Sequence, residues 1–367
     1  MVLLLGLMLF SKCGEEGTQE VIYPKIAHSV EVAFDSTRVV EIERYFAKEH
    51  KAGRFNGVVL IAKRDSVFRA VYGFSNYRTK DSLQIDTRFQ LASVSKPITA
   101  LAVMQLVEQG KIRLADSLEM YIPQWPYPGI TIKMLLSHRS GLTNYMYHTD
   151  DWFTQRDEIP ICNAEAICML CEKQPEMYYR PDTKFDYNNT NFMLLAAVVE
   201  RVTGMDFETY MQTRFFHPLG MLNTFIKSDM EVPQDGLIAR GHDKRRRTIA
   251  PYYLNGTTGD KGVYTTAEDL YTLHKALLKG EVVQDSTLNL MFTATSKFNR
   301  RGGSYGLGWR LNQRDDGSVV TYHNGWWRGF RTYFIHDADE EAVVIVLTNW
   351  LRGPFIPQED LLKLAGL

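Results

Sequence analysis

A serine and a lysine three residues apart, Ser93 and Lys96, open a long apolar run. On a helix that spacing stacks the two side chains on one face. The positive end of a helix dipole favours an oxyanion formed at such a serine. A lysine pressed into apolar surroundings gives up its proton and serves as a base. Taken alone, Ser-x-x-Lys is common and reads more readily as an N-cap serine beside a surface lysine. Two further segments carry reactive groups. Tyr187-Asn188-Asn189 follows the turn at Arg180-Pro181-Asp182 and precedes the helical run 192–202. A phenol and an amide two positions apart suit a loop that delivers both into one cleft; the plainer reading is a helix start capped by Asn189 or Thr190. Tyr322-His323-Asn324-Gly325-Trp326 joins two β-rich runs. Glycine there lets a ligand or a second backbone come close to a strand. The neighbouring histidine can bind a carboxylate or relay a proton.

The elements that must hold these groups are legible in the periodicity. Residues 95–109 are apolar almost all round and stop at Gly110, which describes a buried central helix. Before it, residues 37–50 have helical spacing, and 56–63 and 66–73 are β-rich runs around a charged turn at Arg64-Asp65. Helices dominate from 114 to about 248, with an amphipathic helix at 267–279. Four β-rich runs follow, at 305–311, 318–323, 329–335 and 341–348, then a short helix at 358–365. Strands at both ends with helices between them imply an α/β sandwich with an antiparallel sheet, and an all-α lobe of about 111–249 inserted between sheet-forming parts at about 37–110 and 250–367. One cleft between the two parts is the natural place for a site.

The 367 residues carry 42 Lys and Arg against 43 Asp and Glu, a net charge of −1. That balance argues against a nucleic-acid binder. The 19 Tyr, 19 Phe and 6 Trp argue against disorder. Residues 1–10 are nearly all apolar, too short a run for a bilayer span and suited to a leader. Cys13 directly behind them looks like a lipoprotein cleavage and lipidation site, so residues 1–13 read as leader and 14–36 as a turn-rich tether. Membrane contact would then pass through the lipid anchor alone, and the protein would sit on a bacterial cell envelope, periplasm-facing or at the surface. Cys168-Met169-Leu170-Cys171 has no second pair or histidine partners to complete a zinc site, so Cys162, Cys168 and Cys171 read as buried, inert thiols. No metal and no cofactor are expected. Gly302-Gly303-Ser304-Tyr305-Gly306 is a formal G-x-S-x-G signature, but β-rich sequence rather than a helix follows Ser304, so Ser304 is a decoy.

The three segments, in this order and spacing, resemble the penicillin-recognising serine hydrolases: class C β-lactamases, low-molecular-mass D,D-peptidases and their esterase relatives. Family-like phrases lie between them: Phe89-Gln90-Leu91-Ala92-Ser93, Leu135-Leu136-Ser137-His138-Arg139-Ser140-Gly141-Leu142, and Gly262-Val263-Tyr264-Thr265-Thr266-Ala267-Glu268-Asp269-Leu270. The resemblance covers about residues 36–367 and implies a β-lactamase/transpeptidase-like fold. It implies Ser93 as nucleophile, Lys96 as its proton acceptor and Tyr187 as the partner that exchanges a proton with serine or leaving group. It also implies Asn189, His323 and Gly325 as substrate-binding positions, and the backbone N–H groups of Ser93 and Trp326 as oxyanion hole. An acyl-enzyme on Ser93 would then be hydrolysed. His-Asn-Gly replaces the Lys-Thr-Gly usual in β-lactamases, and neutral histidine holds a carboxylate less firmly than lysine. A D-amino-acid peptide of the peptidoglycan type is therefore the first expectation for the substrate. A β-lactam or a carboxylic ester are the alternatives, and a non-turnover penicillin-binding sensor is the reading from another class.

Overall fold

The computed structural model describes residues 27–31, 34, 36–154, 159–231, 236–352 and 356–367. Cys13 and the leader lie outside the described residues. An eight-stranded antiparallel sheet forms the body, in the order Ala27–Glu31, Ser66–Tyr72, Gly57–Lys63, Ala342–Thr348, Phe330–Asp337, Val319–Trp327, Arg310–Gln313 and Gly303–Tyr305. The first strand corrects one expectation: the segment read as a tether supplies an edge strand, with Ala27 opposite Val71 and Glu31 opposite Val67. The run expected at 305–311 is two strands separated by a turn, because Gly306 N–H bonds back to Trp309 O.

Both faces of this sheet are covered, which explains why its central strands read as unbroken apolar runs. Alternate residues serve two cores. Val58, Leu60, Val343, Ile345 and Leu347 face helix Ala267–Leu278 and belong to one core with the helix Ser95–Glu108 and the helical lobe. Val59, Ile61, Val344 and Val346 face the terminal helices Ser36–Lys51 and Gln358–Ala365 through Ile42, Phe46 and Leu361.

The helix Ser95–Glu108 is buried on all sides along most of its length. Pro97 is tolerated in its first turn, where a missing N–H breaks no helical bond. Gly110 takes a left-handed φ just beyond its end. Against it lies Asn189–Thr203, the longest helix of the inserted lobe. That lobe is not wholly α-helical. Phe225–Ile226 pairs with Val263–Thr265, which pairs with Phe89–Gln90, so a three-stranded sheet ties the lobe to the segment just before Ser93.

Candidate active site

Ser93 is placed by a turn that precedes the helix. Residues Ala92–Val94 form one 3₁₀ turn, and the α-helix begins at Ser95. Ala92 holds φ at +51°, a left-handed conformation that costs a non-glycine residue about 1 kcal/mol or more. Neighbours hold it there: Leu91 N–H donates to Val263 O at 2.8 Å, and Thr332 Oγ1 donates to Leu91 O at 2.6 Å. Gly325 lies under this turn. A Cβ there would overlap the Leu91 carbonyl oxygen and Thr332 Oγ1. Of the two reasons for a glycine on this strand, the structure shows the close approach of a second backbone.

Lys96 is fully buried and Ser93 half-buried, so the hydroxyl is the open end of the pair. The Lys96 ammonium donates to Ser93 Oγ at 3.1 Å, to Asn189 Oδ1 at 2.7 Å and to Asp260 O at 2.9 Å. All three of its donors are therefore placed. The cap expected at Asn189 or Thr190 is Asn188, whose Oδ1 accepts from Thr190 N–H at 2.9 Å. Asn189 is thereby the first helical residue, with its side chain free to meet Lys96 and, through Nδ2, Met146 Sδ at 3.2 Å.

The Tyr187 ring lies between three groups. Its centre is 4.4 Å from that of the His138 ring, 4.9 Å from the Arg310 guanidinium carbon and 5.1 Å from Lys96 Nζ. His323 stands behind it, ring centres 6.1 Å apart. The His323 ring is fully buried, with Nε2 against Tyr305 Oη at 3.2 Å and Nδ1 against Asn324 O at 2.9 Å. Burial, with the charges of Arg310 and Lys96, holds its pKa well below the usual imidazole value. The ring expected at a substrate-binding position is thus buried and engaged at both nitrogens. Trp326, one residue past Gly325, turns its indole outward at 56% exposure. The Trp327 indole N–H donates to Asn255 Oδ1 at 2.9 Å.

Ser304 is a strand residue whose hydroxyl donates to Ser296 O at 2.8 Å, remote in kind from a nucleophile elbow. The thiols correct a further reading, because Cys162 and Cys168 are exposed and only Cys171 is partly covered. Burial and neighbouring carboxylates push all three thiols up in pKa, Cys168 chiefly through its contact with Glu172.

Sequence reasoning overlooked four contributors. His138, fully buried, accepts at Nδ1 from Asn188 N–H and from Asn191 Nδ2, each at 3.1 Å, and burial keeps it neutral. Arg310 reaches Tyr187 from the strand Arg310–Gln313, and its buried Nε–H has no hydrogen-bond acceptor among the described residues. Asp260 and Lys261 lie behind Lys96, almost wholly buried. Their signal was present as two opposite charges between glycines, Gly259-Asp260-Lys261-Gly262.

Residues 42–366 match the family model described as Beta-lactamase. The chain is 29% identical over 311 residues to Penicillin-binding protein 4* of Bacillus subtilis (strain 168), an overlap covering 81% of this chain and 68% of that protein. Among solved structures it is similar to the penicillin binding protein from Bacillus halodurans, with a TM-score of 0.74 and 26% identity over 88% of this chain and 96% of that one. The D-amino acid amidase from Ochrobactrum anthropi SV3 shares the fold, at a TM-score of 0.73 and 20% identity over 89% of this chain and 95% of that one.

Proposed function

The chain belongs to the beta-lactamase family of serine hydrolases, and from that premise we propose that it cleaves amide bonds in D-amino-acid peptides ending in a free carboxylate, through an acyl-enzyme on Ser93. The observation that carries the reading is Lys96 Nζ held 3.1 Å from Ser93 Oγ, with the Tyr187 ring centre 5.1 Å from the same nitrogen. In its neutral form Lys96 takes the hydroxyl proton as Ser93 Oγ bonds to the substrate carbonyl carbon. The backbone N–H groups of Ser93 and Trp326 receive the oxyanion. Tyr187 gives its phenol proton to the departing amine as the C–N bond breaks and regains one from protonated Lys96. A water then attacks the acyl carbon, losing a proton to neutral Lys96, and Ser93 Oγ leaves with that proton as the acid is released. Asn189 Nδ2, held otherwise by a weak thioether acceptor, is available to the substrate's amide.

The preference for a carboxylate-ended peptide follows from Arg310. His323 is buried and neutral, so it supplies no positive charge. Arg310 does, beside Tyr187 and with an unsatisfied Nε–H. A guanidinium binds a carboxylate through paired N–H groups. The names of the B. subtilis penicillin-binding protein and the O. anthropi amidase support the same chemical class.

Intact-mass spectrometry after benzylpenicillin, together with a D-Ala-D-Ala peptide and its C-terminal amide as substrates, tests this. Ser93→Ala is expected to lose both adduct and turnover. Arg310→Met is expected to raise KM about tenfold or more for the free acid and little for the amide, the loss of one charged hydrogen bond. An adduct that survives Ser93→Ala overturns the nucleophile. Equal effects of Arg310→Met on acid and amide overturn the substrate class and move the reading to esters.

A further inference from the structure

Behind Lys96 the chain buries an adjacent acid and base that the chemistry above does not use. Asp260 and Lys261 have side chains only 1% and 3% exposed. Gly259 and Gly262 flank them at φ +89° and +99°, and these turns drive both side chains inward. The segment is clamped to the first turns of the nucleophile helix by three bonds in succession. Thr99 Oγ1 donates to Gly259 O at 2.8 Å, Lys96 Nζ to Asp260 O at 2.9 Å, and Val263 N–H to Ser95 Oγ at 3.2 Å. Lys261 Nζ donates to Tyr145 Oη at 2.8 Å, to Asp260 Oδ1 at 3.3 Å and to Thr257 Oγ1. Tyr145 Oη donates in turn to Asp260 Oδ2 at 3.2 Å. A buried ion pair is a poor stabiliser compared with apolar side chains of the same volume, so stability does not account for it.

We infer that Asp260 and Lys261 are a positioning pair for the catalytic lysine: the Asp260 carbonyl aims Lys96 at Ser93, and the two opposed side-chain charges set the pH range in which Lys96 takes the serine proton. The inference rests on Lys96 being the base. Facing Lys96 are Ser93 from its own turn, Tyr187 and Asn189 from the 187–189 segment, and Asp260 with Lys261 from the 256–262 segment. Around Tyr187 stand His138, His323, Tyr305 and Arg310. Both histidines are kept neutral by burial and Tyr305 is held protonated by the same cause. The charged groups nearest Lys96 are therefore the pair itself, with Arg310 beyond Tyr187; burial pulls Lys261 down to about 8, against the support of the Asp260 carboxylate. Deleting the Lys261 charge leaves the Asp260 carboxylate to favour protonated Lys96, so acylation then requires higher pH. Deleting the Asp260 charge removes the group that favours protonated Lys96 and lets Lys261 fall further, so acylation extends to lower pH through loss of that attraction.

The test is single-turnover acylation of Ser93 by a 4-nitrophenyl ester across pH, read by intact mass, with melting temperature measured alongside. Lys261→Met is expected to move the acid limb up by about half a pH unit or more, the scale of a nearby charge. Asp260→Asn moves it down by a similar amount, and the double variant returns it towards the native position. A purely structural role lowers the rate at every pH and leaves the limb in place; coincident limbs in folded variants overturn the inference. Should Lys261→Met not fold, the sign of the Asp260→Asn shift decides alone. Failure of the native protein to label at Ser93 sinks the proposed function instead, so the two failures are distinct.

Discussion

Lys96 is the most tightly committed side chain at the site, because each of its three donors meets a different segment of chain. Its removal has two consequences that separate experimentally. Lys96→Ala takes away the proposed proton acceptor and also strands the Asn189 and Asp260 oxygens, so both rate and stability are expected to fall. Tyr187→Phe is cleaner. The ring contacts with His138 and Arg310 survive, and no partner loses a bond. Single-turnover acylation is expected to drop at least a hundredfold in both variants. The melting temperature should fall for Lys96→Ala and hold within about 2 °C for Tyr187→Phe, a change of under 1 kcal/mol. An undiminished rate in Tyr187→Phe would remove the phenol from the chemistry. The sequence showed these residues because their spacing obeys helix and loop geometry. It hid Arg310 and His138, which reach Tyr187 from a strand and from the turn after helix Ile132–Leu136, segments that only the tertiary fold brings together. Spacing along the chain carries no trace of that meeting.

Elements position the site through packing of backbone on backbone. The turn Ala92–Val94 sits over Gly325, and helix Ser95–Glu108 carries it onward. Periodicity marked that helix almost to the residue, as well as Gln358–Ala365 and the hairpin around Arg64-Asp65, because their burial patterns are local. Two features escaped it for want of a local cause. The edge strand Ala27–Glu31 exists only by pairing with Ser66–Tyr72. Phe225–Ile226 is too short to signal itself and is defined by Val263–Thr265. The Gly325 contact makes a direct prediction. Gly325→Ala forces the strand and the 91–92 turn apart, an overpacking that costs about 1–3 kcal/mol. Because the displaced turn carries Ser93, acylation should fall at least a hundredfold while far-ultraviolet circular dichroism stays native. Native acylation in Gly325→Ala would show that this contact does not place the nucleophile.

At the scale of the whole molecule, neutral histidines join parts distant in sequence. His274, on helix Ala267–Leu278, meets His336 of the sheet with Nδ1 atoms 2.8 Å apart, so one ring donates and the other accepts. His242 accepts at Nε2 from Tyr77 N–H at 3.2 Å and faces Asn349 O through Nδ1 at 3.2 Å, bridging three loops at one end of the sheet. Burial lowers His242 and His336 to about 4, and His274 further, where the His336 ring adds to the effect. Between the unfolded value near 6.5 and these folded values, the unfolded chain binds protons that the native chain refuses. Their contribution is thus complete above about pH 6.5 and is lost as pH falls towards 4, at up to about 1.4 kcal/mol per pH unit for each group. Carboxylates with lowered pKa, such as Asp116 and Asp206, weaken the fold in the same direction at still lower pH. His242→Gln separates the two, because an amide keeps one donor and one acceptor but does not titrate here. Its melting temperature is expected to fall less than the native protein's between pH 7 and 4.5, whatever its value at pH 7. Parallel curves for the two proteins across that window would mean that His242 is not protonated on unfolding and that the acid sensitivity lies in other groups, His274, His336 and the carboxylates among them.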